Sequence, residues 1–481
     1  MIFFIFHDIF LNNCHILHFF SYICTSKHII NHYSNFCHFN TLKMLYRLIV
    51  GSLLIMWQLL SPPTADSKNY EGKADKYQAG SQYLAYPRPA YGIPELTKAP
   101  KGYVPFHMEH YGRHGSRWLL KDAAYDFPVE TLEKAAAYGK LTPRGQQLLQ
   151  QLREIRTASK GRVGELTPLG HRQHREIARR MTENFPEIFV PGTHVDAKST
   201  VVIRCILSMA NEIAELQKIC PELIVTCDAS RTTQKILAYN STDTVAKKLA
   251  RKADHFADEY AAKRADHSAF ISKVFNDPKF VADSLDEKKL FEDVFDITVN
   301  AQSHDDQPDL YDLFTDEELQ NEWLSHNASW YITAGNTSLT GNRVPYNQRV
   351  LLRNFIESAD TAMVSPRLSA NLRFGHESIV LPLTILMELN DSAVDLTDLE
   401  TLASQWRNYD IFPMGSNIQM IFYRPEKKPK YTPDEILVKV MLNEDEVTLP
   451  VKPVSGPYYK WKDLRDYYMS KLDGFSTKFK E

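Results

Sequence analysis

Cysteine, net charge and long apolar runs are all scarce in this chain, and each scarcity removes a class of function. Beyond residue 65 only Cys205, Cys220 and Cys227 remain. An odd number is not a disulfide framework, and no CxxC pair suggests zinc or redox work. A single Cys220–Cys227 bridge and three reduced thiols both stay open. Lys and Arg number 56 against 59 Asp and Glu, a formal net charge of -3. A general nucleic-acid binder would show a basic excess, so that class is excluded. The apolar core from Leu48 to Leu60 is about thirteen residues, too short for a comfortable membrane span. Preceded by Arg47 and followed by Pro63-Thr64-Ala65, it reads as a signal peptide over residues 44–65, starting at Met44. Met1 to Asn40 holds eight Phe and six His but only Asp8 and Lys27 with full charge, and no period runs through it. Residues 1–43 therefore read as an extension outside the mature protein. The expectation is an exported chain, periplasmic or extracellular, with no membrane span once processed.

What is present describes a globular protein. Hydrophobic residues make up 43% and charged residues 24%, and 481 residues suffice for two or more packed lobes. "YVPFHMEHY" alternates: Val104, Phe106, Met108 and His110 on one strand face, Tyr103, His107 and Glu109 on the other. "LTPRGQQLLQQLREI" and "LTPLGHRQHREIARRM" each open with Thr-Pro, an N-cap followed by the first helical position; their likeness is helix-start grammar rather than a repeat. "STVVIRC" reads as an apolar strand ending in Arg204, "LSMANEIAELQKIC" as a helix, and "LIVTCD" as a third strand. That succession predicts an α/β fold with a Rossmann-like, mostly parallel sheet flanked by helices. Helical patterns such as "DEKKLFEDVFDITV" dominate residues 242–360, read as an inserted helical cap between core segments 66–241 and 361–481. "IQMIFYRP" and "ILVKVMLNEDEVTLPV" predict an antiparallel finish.

The basic cluster that needs a local explanation is "HMEHYGRHGSRW", residues 107–118. It follows a strand's carboxyl end, where open α/β sheets place ligand sites. Arg113 and Arg117 offer guanidinium forks that match phosphate oxygens, and Gly115 lets the backbone approach a ligand. An imidazole among arginines has its cation disfavoured, so His114 is a neutral nucleophile able to carry a phosphoryl group. A surface basic turn that only makes salt bridges is the competing reading of the tripeptide alone.

With "YGRHGSR" after a strand, "RC" in mid-chain and "RFGHE" opening a helix far downstream, the chain resembles the histidine acid phosphatases. Within them it is similar to the multiple inositol polyphosphate phosphatase, phytase-like branch. The resemblance covers roughly Gln78 to the C-terminus. It implies His114 as nucleophile, Arg113, Arg117, Arg204 and His376 as phosphate ligands, and Glu377 as proton donor. It implies no metal and no cofactor, because cationic side chains do that work. The partner would be a small phosphorylated molecule, an inositol phosphate, with neither nucleic acid nor membrane involved. Two departures stand out. Arg117 is followed by Trp118 and Leu119 where the family usually has Pro soon after. The acid motif is His376-Glu377-Ser378, where many members have His-Asp and the inositol-polyphosphate branch has His-Ala-Glu; Glu377 is the better acid than Ser378.

Ile379, Leu383, Leu386 and Met387 form one stripe, so His376 and Glu377 sit at a helix N-terminus that favours a bound phosphate. The same dipole lowers a carboxyl pKa, so Glu377 needs a compensating push to hold its proton. The expected reaction has two steps: His114 displaces the alcohol while Glu377 protonates it, then water cleaves the phosphohistidine. A broad-specificity phosphatase, a mutase and a non-catalytic polyanion binder are the alternatives. Zinc at His107, His110 and His114 is disfavoured, since His107 and His110 point to opposite strand faces. His171 and His174 in "HRQHR" read as a solvated basic helix face. Sequons stand at Asn240, Asn327, Asn336 and Asn390.

Overall fold

The computed structural model describes residues 74–87, 92–237, 244–365, 367–428 and 430–476. The expected extension (1–43), the signal peptide (44–65) and the Asn240 sequon lie outside the described residues. The strands are β1 (Tyr103–Arg113), β2 (His194–Ser199), β3 (Ile224–Asp228), β4 (Ser369–Gly375), β5 (Asn417–Pro425), β6 (Leu437–Leu442), β7 (Asp445–Glu446) and β8 (Tyr459–Lys460). They form one mixed sheet in the order β3-β2-β4-β1-β5-β6-β7, with β8 also on β6. β3, β2, β4 and β1 are parallel neighbours, whereas β5, β6 and β7 complete the other side as an antiparallel meander.

The helices that shape the molecule are α1 (Ala123–Ala137), α2 (Pro143–Ser159), α3 (Pro168–Asn184), α4 (Ile203–Ile219), α5 (Arg231–Leu237), α6 (Thr244–Ala262), α7 (Ser268–Val274), α8 (Pro278–Ser284), α9 (Glu287–Asn300), α10 (Asp316–Ala334), α11 (Arg349–Val364), α12 (Glu377–Leu386) and, at the end of the chain, α13 (Trp461–Gly474). On one face of the sheet α3 and α4 bury Ile177, Met181, Met209 and Leu216 against Met108, Ala197 and Leu372. On the other, α11, α12 and α13 bury Phe355, Leu383 and Leu464 against Tyr111, Met420 and Phe422. A helical side lobe has its own core, in which Leu132, Leu148 and Ile155 of α1 and α2 meet Phe270, Phe291, Val294 and Trp323. So α1 and α2 join α7, α9 and α10 in the lobe, while α11 lies on the sheet.

Three local readings of the sequence are corrected. The first concerns β1, whose register shifts between Pro105 and His107. This bulge places Phe106 with Tyr111 and Phe422, away from Met108, so strict alternation fails there. Pro105, opposite Tyr423 of β5, stands beside the bulge and ahead of the pairing with β4, which begins at His107, the kind of strand position where proline is found. The second concerns "STVVIRC": β2 ends at Ser199, and Arg204 lies in the first turn of α4. The β-branched Thr200-Val201-Val202 imitates a strand but only leads into the helix. The third concerns α3, whose His174 is fully buried, its Nδ1 2.9 Å from Glu212 Oε2, rather than on a solvated face. Cys205, Cys220 and Cys227 are free thiols.

Candidate active site

Pairing registers explain why distant motifs meet. In the sheet Arg113 of β1 lies opposite Gly375 of β4, and Phe374 opposite Ser199 of β2. The three carboxyl ends are thus level, and the ladder continues one step beyond them: His114 N–H donates to Gly375 O (3.0 Å) and Thr200 N–H to Phe374 O (3.1 Å). His114, Thr200 and His376 emerge side by side, where an open α/β sheet binds its ligand.

His114 is fully buried. Its Nδ1 lies 2.9 Å from Gly115 O. A carbonyl only accepts, so Nδ1 carries the hydrogen and Nε2 keeps the lone pair. Nε2 has no hydrogen-bond partner among the described residues and stands 3.4 Å from Glu377 Oε2. Burial, reinforced by Arg113 and Arg117 and opposed by Glu377, holds the imidazole well below its usual pKa. The imidazole is neutral, as its arginine neighbours suggested, although burial is the larger cause.

Around it, donors converge without partners. Arg113 Nη1 donates to Gln82 O and Phe412 O, both at 2.7 Å, and its Nε to Glu377 Oε2 at 3.1 Å, leaving the buried Nη2 unmatched. Burial, against the pull of Glu377, brings the Arg113 guanidinium to about 10, still cationic. Arg117 donates from Nη1 to Trp118 O (2.9 Å), packs 5.5 Å from the Tyr83 ring and leaves Nε unmatched. Arg204 Nε is likewise buried and unmatched. Buried polar groups are almost always satisfied, so several orphaned cationic donors near one another mark an anion site.

His376 is the N-cap residue of α12, its amide 3.4 Å from Tyr111 Oη. Its ring lies 5.8 Å from that of His114, with Nε2 3.3 Å from Thr200 Oγ1. Burial pulls its pKa down to about 4. Glu377 follows with its side chain 15% exposed and aimed at His114, whereas Ser378 is exposed. Burial disfavours the Glu377 charge, but the Arg113 guanidinium outweighs it and holds the carboxyl well below its usual range. The carboxyl is therefore ionised here, not protonated as a waiting donor. An anion bound between the arginines would supply the opposing charge that raises it.

The three acceptor-bearing groups His114, His376 and Glu377 lie within 4.8 Å of one another, near enough for a metal. Three guanidinium groups beside them repel a divalent cation and favour an anion. His107 and His110 are apart from this site. His107 contacts Glu109 (2.9 Å) and Ser369 in a buried network that includes Arg373, while His110 packs on Phe374 across the sheet.

Residues 112–443 match the family model described as the histidine phosphatase superfamily (branch 2). The chain belongs to that family. Among solved structures, the multiple inositol polyphosphate phosphatase of Bifidobacterium longum, crystallised with inositol hexasulfate, is similar at TM-score 0.62 and 18% identity, over 83% of this chain and 98% of that one. The phytase of D. castellii is similar at TM-score 0.62 and 14% identity, over 87% and 89%. A 71-residue stretch is also 32% identical to the mitochondrial NADH dehydrogenase [ubiquinone] 1 beta subcomplex subunit 5 of Mus musculus; the match spans 15% of this chain and about a third (37%) of that protein. Family and fold support phosphomonoester hydrolysis as the activity.

Residues not anticipated complete the site. Gly115 N–H donates to Ser208 Oγ (3.2 Å) on α4, and Ser116 N–H to Gln173 Oε1 (2.8 Å) on α3. Gln173 lay inside the quoted "HRQHR", but no periodicity reveals a contact to a loop 57 residues away. Cys205 Sγ sits 3.2 Å from Gly375 O and beside the His376 ring, its thiol pushed up to about 12 by burial and so not a nucleophile.

Proposed function

We propose that this protein is an exported phosphomonoesterase that hydrolyses inositol polyphosphates through a phosphohistidine at His114. The observation that carries the reading is the unshared His114 Nε2 among the unmatched donors of Arg113, Arg117 and Arg204. Atom balance is simple. His114 Nε2 bonds to phosphorus as the ester P–O bond breaks, and the alcohol oxygen takes the proton that Glu377 acquires once phosphate is bound. Water then attacks phosphorus, Glu377 accepts its proton, the P–N bond breaks and free phosphate leaves. The arginines and His376 hold the non-bridging oxygens throughout. The similar Bifidobacterium longum phosphatase, crystallised with inositol hexasulfate, supports the same substrate class.

The test incubates purified protein with inositol hexakisphosphate and with a simple aryl phosphate, each with and without chelator. Phosphate release from the inositol ester, insensitive to chelator and abolished by His114→Ala, is expected. Turnover of the aryl ester alone favours a broad-specificity phosphatase, and binding without release identifies a polyanion binder. Export is checked by fractionating cells that express the full chain; mature protein beginning near Asp66 outside the cytoplasm is the expected result.

A further inference from the structure

We propose that Gln173 is a positioning residue that fixes the tautomer of His114 through the Gly115–Ser116 peptide. One peptide unit carries both contacts. Its carbonyl, Gly115 O, accepts from His114 Nδ1 at 2.9 Å, and its N–H, on Ser116, donates to Gln173 Oε1 at 2.8 Å. Because the Ser116 amide only donates, the atom of Gln173 facing it is the oxygen. The amide, peptide and imidazole form a head-to-tail chain: carboxamide oxygen, peptide N–H, peptide carbonyl, imidazole Nδ1–H. Each bond polarises the next in a dry environment, and the sense of the whole chain follows from the acceptor at its start. A reversed peptide would present N–H toward Nδ1, draw its lone pair there and put the hydrogen on Nε2, the atom that must attack.

The surroundings leave that peptide no other anchor of the same kind. Gln173 is 1% exposed and sits near the start of α3. There Thr167 N–H donates to Ser116 O (3.0 Å), and a Cβ on Gly170 would fall 2.2 Å from that same Ser116 O. A Cβ on Gly115 would in turn meet Gly170 O at 2.5 Å. Helix and catalytic turn therefore touch backbone to backbone; the Thr167 cap hydroxyl donates to Ser116 O (3.3 Å), and among the described residues Gln173 is the only side chain within α3 that hydrogen-bonds the turn. Gly415, whose amide donates to His114 O (3.1 Å), closes the other side, its Cβ position 3.7 Å from Gln173 Oε1. The Ser208 contact acts on the preceding peptide, so it cannot replace the Gln173 one.

The inference rests on His114 being the nucleophile, and the experiment separates the two. Nitrogen-15 histidine spectra of the purified protein at neutral pH should show His114 protonated at Nδ1 and bare at Nε2. This arm needs no variant; a hydrogen on Nε2 overturns the proposal. Gln173→Met removes the acceptor at similar volume, while Gln173→Glu keeps an oxygen there. Met is expected to mix the tautomers and lower kcat for an aryl phosphate by about tenfold to a hundredfold, the loss typical of one unsatisfied buried donor, with KM little changed. Glu is expected to restore the wild-type tautomer and most of kcat. An unchanged tautomer in the Met variant, or equal losses in both variants, overturns the proposal in favour of a packing role. If His114→Ala keeps full turnover, the nucleophile reading fails and this one with it; if that variant is dead and Gln173→Met is unaffected, only this one fails.

Discussion

The surroundings give His114 the protonation state its role needs and give Glu377 the opposite one. Burial removes the proton from His114, as a nucleophile requires, but the Arg113 guanidinium holds Glu377 ionised, although the first step needs an acid. Donation therefore becomes possible only when phosphate competes for the same guanidinium groups. It follows that Glu377→Gln should cost most where the leaving oxygen is basic. Rates on an alkyl phosphate should fall by about 10²–10⁴-fold, the usual worth of a general acid, and much less on an aryl phosphate with a good leaving group. Equal losses on both substrates, measured as kcat/KM, would remove Glu377 from the donor's role. Ser378→Ala, at an exposed position, should leave both rates unchanged. At this scale the sequence was informative because the chemistry sits on short contiguous motifs. Gln173, Ser208 and Tyr83 were not legible, since each acts through a contact that only the folded backbone creates.

At the scale of elements, the two Leu-Thr-Pro-x-Gly helix starts turn out to be one docking device used twice. Thr142 and Thr167 each cap their helix by accepting from Gly145 N–H (3.0 Å) and Gly170 N–H (3.2 Å). Each preceding leucine makes an isolated antiparallel bridge, Leu141 to Phe275 and Leu166 to Arg117. Each glycine then admits a foreign carbonyl, Val274 O at 2.1 Å from a Cβ on Gly145 and Ser116 O at 2.2 Å from one on Gly170. The α2 copy grips the side lobe, the α3 copy the catalytic turn. Ala at either position should destabilise by about 1–3 kcal/mol in urea titration, the usual penalty of overpacking. Only Gly170→Ala should also lower kcat of the folded enzyme. A matching loss of kcat in Gly145→Ala would contradict the division of labour. Helix grammar predicted both starts; what each start holds was invisible, because the partners lie far off in sequence. The misplaced Arg204 has a plainer cause: Thr200, Val201 and Val202 have strand propensity, and propensity yields to the sheet, which is already complete at Ser199.

At the scale of the whole molecule, histidines whose pKa the fold shifts shape stability against pH. Burial lowers His110 to about 3 and both His304 and His376 to about 4. Their unfolded pKa is near 6.5, so the unfolded chain binds more protons below that value, and stability falls as pH drops from about 6.5 toward 4. His326 in the side lobe has the opposite sign. Burial disfavours its cation, but Glu322, Asp296 and Glu292 outweigh that and raise it to about 9. Its contribution is complete below about 6.5 and is lost as pH rises through 9. The urea midpoint should therefore peak near neutrality and decline on both sides. A midpoint that keeps rising from pH 6.5 to 9 would contradict the His326 assignment. The alternation of strands and helices made the α/β class readable from the sequence, and the antiparallel finish with it. The reach of the side lobe was less so, because α1 and α2 bear ordinary amphipathic patterns that do not say which core they serve.

The central claim is a covalent bond between phosphorus and His114 Nε2. Purified protein mixed with a phosphate ester labelled with phosphorus-32, quenched in alkali within the first turnovers and digested should yield a labelled peptide spanning residue 114, its label stable to base and lost in acid. His114→Ala should yield none. Rapid phosphate release with no label on that peptide at any quench time, or label on another residue, would contradict the account.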